Sequence, residues 1–128
     1  MKFNSDQIHQ AQIKSQGNFP ILVDEFKKIG VANFITLVTD GHSEYFDAEN
    51  ENISVDGNQD LIISNSLNKE KFTERLKMHQ NGKTDFSTFC KDCAENGVDN
   101  WIVDLDKMTC TYYDKIGKQV LTENIPSI

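Results

Sequence analysis

Two stretches of the chain pass from a helical pattern of hydrophobic residues to an alternating one. In the first stretch, hydrophobic side chains recur three or four positions apart between Phe19 and Phe26, the spacing of one buried helix face. Asn18 precedes them as a helix N-cap, and Gly30 follows where a helix commonly ends. The pattern predicts one amphipathic helix between Asn18 and Gly30.

The residues after this helix predict a β-hairpin. Phe34 to Thr39 is rich in β-branched and aromatic residues, as strands are. Asp40-Gly41 is typical of a two-residue hairpin turn, and His42 to Asp47 then forms the return strand.

The same order returns 67 positions later. Asp85 to Asp114 aligns with Asn18 to Asp47 without a gap, and Gly97 falls on Gly30. Self-similarity at a fixed distance indicates a duplicated supersecondary unit. The second copy predicts a helix capped by Asp85, followed by the strand Trp101–Asp106, a turn at Lys107-Met108 and the strand Thr109–Asp114.

Further elements flank the two copies. Helices are expected over about residues 6–15, with Ser5 or Asp6 as its cap, and over 68–80. Short strands are expected near 53–55, 61–63 and 119–122. We therefore predict an α+β fold in a single domain, residues 1–128, with repeats of about 1–63 and 64–128. Two tandem helix-helix-hairpin units would form a mostly antiparallel sheet with helices on one face and a pseudo-two-fold between the halves.

Composition narrows the classes of partner and compartment. The net charge is −7 and the basic residues are scattered, which argues against nucleic-acid binding. No stretch has the hydrophobic length of a membrane span or a signal peptide, so no membrane partner is expected. Three cysteines are too few for a disulfide scaffold, which favours a soluble, reduced, cytoplasmic protein.

Cys90 and Cys93 have the spacing of a redox dithiol or of half a zinc site. In the repeat alignment they fall on Val23 and Phe26, which belong to the inward stripe of the first helix. No second cysteine pair exists to complete a zinc site. We predict two buried core thiols, with neither a metal nor a cofactor.

The alternation in each hairpin assigns its side chains to two faces. Trp101, Val103 and Leu105 form an inner hydrophobic face with Cys110 and Tyr112. The opposite, outer face combines hydroxyls, carboxylates and a histidine with an aromatic pair, Phe46 and Tyr113, and with Ile35, Leu37, Thr39 and Ile102. We predict a ligand-binding patch there, made of His42, Glu44, Asp104, Asp106, Thr109, Thr111 and Tyr113.

Two of these acids are specific to the second copy. Asp104 and Asp106 align with Leu37 and Thr39, so the shared scaffold is not expected to need carboxylates at these positions. A purely solvated surface explains such acids equally well. On the binding interpretation, a cationic group of a partner would relieve their mutual repulsion.

Three functions are compatible with this face. The first is a non-catalytic module that binds a small ligand or a protein. The second is a hydrolase-like enzyme in which His42 works with Asp40, Glu44, Asp104 or Asp106 as general base or metal ligand. A histidine beside a turn glycine is also a common exposed residue without a role. The third is a homodimer that uses the face as its interface.

Three segments resemble a bacterial family. They are HQNGKTDFSTFC (79–90), GVDNWIVDLDKMTCTYYD (97–114) and VTDGHSEY (38–45). They are similar to the domain-of-unknown-function 1398 family, whose members are sometimes labelled phage envelope proteins. The resemblance implies no activity that can be assigned to particular residues. It favours a small, prophage-associated accessory protein over a structural coat protein, and Cys93 stands where the family has a small residue.

Overall fold

The computed structural model of the protein describes residues 2–126, so Met1, Ser127 and Ile128 of the predicted domain lie outside the described residues. It contains helices and an antiparallel sheet, which confirms the predicted α+β class. The helices are α1 (Ser5–Ser15), α2 (Phe19–Ile29), α3 (Lys69–Gln80) and α4 (Phe86–Glu95). The strands are β1 (Asn33–Leu37), β2 (Ser43–Phe46), β3 (Asn52–Val55), β4 (Val98–Asp104), β5 (Thr109–Asp114) and β6 (Gln119–Asn124).

The six strands form one sheet in the order β3-β2-β1-β4-β5-β6, and every neighbouring pair is antiparallel. The halves of the chain meet where β1 pairs with β4, and Ile35 lies opposite Ile102. These two isoleucines are 67 positions apart. The backbone bond from Val38 N to Asp99 O has its counterpart in Leu105 N to Ala32 O under the same shift. This pairing is consistent with a duplicated unit and a pseudo-two-fold axis, both of which remain predictions.

The N-termini of the helices are capped by side chains of the preceding residues. Asn18 and Asp85 accept hydrogen bonds from Ile21 N and Thr88 N, as predicted. The first helix differs from prediction, because Asn4 caps it and exchanges side-chain bonds with Gln7.

Both hairpin turns are longer than predicted. Leu37 lies opposite His42 through the bond from Leu37 N to His42 O, and Asp104 pairs with Thr109, so each turn contains four residues rather than two. In the first turn, Gly41 N donates to Leu37 O. Lengthening a turn by two residues keeps every strand residue on its predicted face. It removes Thr39 and Asp106 from the strands.

The helices pack on the inner face through aromatic residues. Phe26 of α2 meets Phe34 and Tyr45 edge-on, with ring centroids 5.5 and 5.3 Å apart. In the second half, Phe72 of α3 lies 5.1 Å from Tyr112. The predicted inner residues Trp101, Val103, Leu105, Cys110 and Tyr112 are all buried.

The segment 61–63 is not a strand, contrary to prediction. It belongs to a connection that crosses one end of the sheet, in which Leu61 N donates to Thr39 O and Ser64 N donates to Ala94 O. Gly97 allows this close passage, since a Cβ there would come within 2.8 Å of Ser66 O and its φ is +86°.

The predicted burial of Cys90 and Cys93 is confirmed. Cys90, Cys93 and Cys110 are buried free thiols. Burial raises the pKa of Cys110 to about 12 and holds the pKa of Cys93 well above its usual range. Thiols in this state are poor nucleophiles, because the thiolate is the reactive form.

The chain's single arginine joins α3 to α4. Arg75 Nε lies 3.0 Å from Asp92 Oδ2, within ion-pair distance, although neither buried atom has a well-directed hydrogen bond. The pair therefore interacts mainly through charge, and each group depends on the other for compensation.

Candidate functional site

The outer face of the sheet has hydrophobic residues at its centre. Ile35 and Leu37 of β1 lie beside Ile102 of β4, and all three are partly exposed. None of them belongs to the core cluster or to the hydrophobic residues that pack against it. The described helix contacts are made by inner-face residues instead. Within residues 2–126, the outer face is thus a sheet surface with aliphatic residues and without a helix packed on it.

Four outer residues form a diagonal that we call the apolar stripe. It runs from Phe46 on β2 through Ile35 and Ile102 to Tyr113 on β5. Strands about 4.8 Å apart and a rise of about 3.4 Å per residue give it a length of about 20 Å. Phe46 and Tyr113 therefore occupy its opposite ends, and the predicted aromatic pair does not form.

Acidic residues border the apolar stripe on both sides. Glu44 pairs with Ile35 on one side, and Asp104 precedes the β4–β5 turn on the other. The six strands contain neither lysine nor arginine. The strand surface is therefore hydrophobic along its diagonal and negatively charged at its flanks.

Asp104 also has a structural role that the sequence did not predict. Its Oδ1 accepts hydrogen bonds from Asp106 N and Lys107 N, each at 3.0 Å, and so holds the β4–β5 turn. The repeat comparison with Leu37 did not predict this role, because the turn uses a side-chain oxygen at position 104 as an acceptor. Asp106 itself is exposed in that turn.

The predicted hydroxyl residues extend the face toward the edge strand β6. Thr109 lies opposite Asp104, and Thr111 Oγ1 is 3.1 Å from Thr122 Oγ1. Tyr113 is opposite Asn100. Thr109 and Thr111 therefore lie beside the apolar stripe, on the same side as Asp104, and Tyr113 ends the stripe on β5.

His42 lies between two carboxylates near the turn of the first hairpin. Its Nδ1 is 2.5 Å from Asp40 Oδ1, and its Nε2 is 3.7 Å from Glu44 Oε2. Asp40 Oδ1 also accepts from the backbone N–H of His42. The hydrogen bond to Asp40 raises the pKa of His42, and the two hydrogen bonds from His42 lower the pKa of Asp40. The imidazole is thus restrained by local partners.

The seven predicted site residues do not form one cluster. His42, which directly precedes β2, and Asp104 on β4 are separated by β1 and lie at opposite ends of the strands. Strand spacing and rise place their positions about 16 Å apart. A single small ligand would not contact both, so the face suits an extended partner better.

Grooves lie on the helical part of the surface instead. One, of about 310 Å³, is bordered by α1 and α2, and another follows α3, and neither is lined by an outer-face residue. Among residues 2–126, no group of three histidines, cysteines or acids is arranged to hold a metal. Within the same residues, no helix is both long and hydrophobic enough to cross a membrane.

A second histidine, His79 in the last turn of α3, packs against α4. Its ring stacks on the ring of Phe89 with centroids 4.4 Å apart. Its Nδ1 lies 3.0 Å from Thr84 O, and burial lowers its pKa. His79 therefore belongs to the packing of α3 on α4.

Comparison with known proteins identifies a family for the chain but no activity. A family model described as a protein of unknown function (DUF1398) matches residues 6–124. A relative in Escherichia coli strain K12, described as the uncharacterized protein YcgX, is 24% identical over 103 residues. The aligned region covers 80% of this chain and 77% of that protein.

Proposed function

The chain belongs to the DUF1398 family of proteins of unknown function, and we propose that it is a non-catalytic binding module whose outer sheet face holds another protein. The family membership confirms the resemblance seen in the sequence. The observation that supports the proposal is the apolar stripe. Phe46, Ile35, Ile102 and Tyr113 lie outside the core cluster and on the side away from the helices.

The shape of the face favours a protein over a small ligand. Small-molecule sites are concave and enclose most of their ligand, whereas the two grooves described above lie on the helical part of the surface. Protein interfaces combine hydrophobic and aromatic residues at the centre with a polar rim. The apolar stripe, with Glu44, Asp104 and Thr111 around it, has this arrangement.

The alternative is a hydrolase-like enzyme built on His42. The carboxylates at both ring nitrogens favour it, since an acid commonly orients a catalytic imidazole. Asp104 and the turn residue Asp106, however, lie at the opposite end of the strands from His42, and the residues that line the two grooves described above do not adjoin His42. We therefore place the binding module first. A homodimer through the outer face, the cytoplasmic location and the association with prophages remain predictions.

Site-specific photo-cross-linking tests the binding module. A benzophenone amino acid is placed at position 111, on the outer face, and at position 62 as a control. Ile62 is 91% exposed and lies outside the sheet. We expect irradiation in cells of the source organism to join one discrete protein to position 111 and not to position 62. Equal adducts at both positions, or none at position 111, would contradict a binding site on this face.

A further inference from the structure

The outer face carries negative charge on both sides of a narrow hydrophobic diagonal. Glu44 pairs with Ile35 on one side of the apolar stripe, and Asp104 lies on the other side, near Ile102. Two strand spacings and an offset of two residues along the strands separate the positions of Glu44 and Asp104 by about 12 Å. This is close to the distance between side chains on the two flanks of a helix lying on its hydrophobic stripe.

The length of the apolar stripe also fits a helix. At about 1.5 Å per residue, a stripe of about 20 Å matches a helix of roughly 13 residues. The inner face already binds amphipathic helices in this way, with Phe26 of α2 against Phe34 and Tyr45. In the described part of the chain, the outer face has no such helix.

We propose that the partner presents a basic amphipathic helix, with its hydrophobic side on the apolar stripe and lysine or arginine on both flanks. This rests on the proposed function and names the chemistry of the partner. Charge complementarity carries it, because the strands bear Glu44 and Asp104 on this face and no lysine or arginine at any position. A second copy of the chain would bring these acids together and is disfavoured for the same reason.

Both carboxylates can accept a basic group while keeping their present contacts. The turn bonds of Asp104 go to Oδ1, which leaves Oδ2 for a partner. Within residues 2–126, Glu44 has a long hydrogen bond of 3.4 Å from Asn52, and its Oε2 lies 3.7 Å from His42 Nε2. Because both acids are partly exposed, an ion pair with a lysine of the partner would add modest affinity. Its larger effect would be to fix the orientation of the partner helix on the face.

Defined peptides test the proposal on the intact protein. The probe is a 14-residue leucine–lysine peptide with one leucine face, compared with peptides in which glutamine or glutamate replaces lysine. Titrations are followed by amide NMR shifts and by calorimetry. We expect the lysine peptide to bind most tightly and to shift the amides around Ile35, Glu44 and Ile102. Its Kd should rise about tenfold between about 50 and 500 mM salt, as exposed charges are screened.

Charge-matched variants separate the site from the general acidity of the chain. Glu44→Gln should weaken the lysine peptide about twofold to fivefold, the usual effect of one exposed ion pair. Glu74→Gln, which removes the same charge from the exposed surface of α3, should leave the Kd unchanged. Equal effects of both variants, or shifts confined to the helices, would overturn the proposal.

The other outcomes are also decisive. If the glutamine or glutamate peptide binds the outer face more tightly, the face is a binding surface but its partner is not basic. If no peptide binds while position 111 still cross-links a protein, the basic-helix proposal fails and the binding module stands. Dimerisation that strengthens with salt, seen by sedimentation, would assign the face to a second copy.

Discussion

Substitutions at Asp104 can separate its structural role from its charge. Asp104→Ala deletes two hydrogen bonds to backbone N–H groups, those of Asp106 and Lys107, each 3.0 Å long. At about 0.5–1 kcal/mol for each bond in a partly exposed turn, we expect a loss of about 1–2 kcal/mol in the free energy of unfolding. For a chain of this size, that corresponds to about 3–8 °C in Tm.

Two further variants make the prediction specific. Asp104→Asn keeps a carbonyl oxygen at the position of Oδ1, so its stability should stay within about 0.5 kcal/mol of the parent protein. Asp106→Ala should be similarly mild, because Asp106 contributes its backbone N–H to the turn. Urea unfolding of the four proteins at neutral pH measures the differences. If Asp104→Ala is as stable as the parent, or no less stable than Asp104→Asn, the turn does not depend on this carboxylate.

Other parts of the structure allow equally direct tests. Cys93→Ala should cost about 1 kcal/mol in urea unfolding, as for a small buried side chain, and leave the outer-face complex intact; stoichiometric zinc lost with this substitution would contradict a core thiol. The hydrogen bond to Asp40 raises the pKa of His42 above 6.5. The free energy of unfolding that the protonated ring contributes is therefore fully present below pH 6.5 and is lost as the pH rises through the folded-state pKa. The stability advantage of the parent over His42→Asn should therefore shrink as the pH rises from below 6.5 through the folded-state pKa, and a growing advantage would refute the pairing. Arg75→Met leaves Asp92 buried without its cation and should cost about 2–3 kcal/mol, most of it recovered when Asp92→Leu is added; additive losses would show that the two residues act independently.

Local patterns in the sequence predicted the elements and their faces well. Helical spacing and the caps Asn18 and Asp85 located α2 and α4, because these signals depend on neighbouring residues. The face of each strand residue was correct even though both turns were misjudged. A turn of four residues instead of two preserves the alternation, so that error changed the register without exchanging the faces.

The arrangement of the site was harder to predict, because it depends on contacts between distant parts of the chain. The pairing of β1 with β4 places Ile35 beside Ile102, and no local pattern fixes that register. It also moves Phe46 and Tyr113 to opposite ends of the apolar stripe. The turn role of Asp104 did leave a local signal, since an aspartate just before a tight turn commonly accepts backbone N–H bonds.

The binding of the outer face to its protein partner depends, on this account, on the centre of the apolar stripe. Ile102→Thr keeps a β-branched residue in β4 and removes hydrophobic surface, while Ile62→Thr makes the same change at a residue that is 91% exposed outside the sheet. The measurement is the affinity of each variant for the protein that cross-links to position 111, with Tm recorded alongside. We expect Ile102→Thr to weaken the complex about tenfold or more at nearly unchanged Tm, and Ile62→Thr to bind like the parent protein. Equal affinity of both variants would contradict a binding site on the outer face of the sheet.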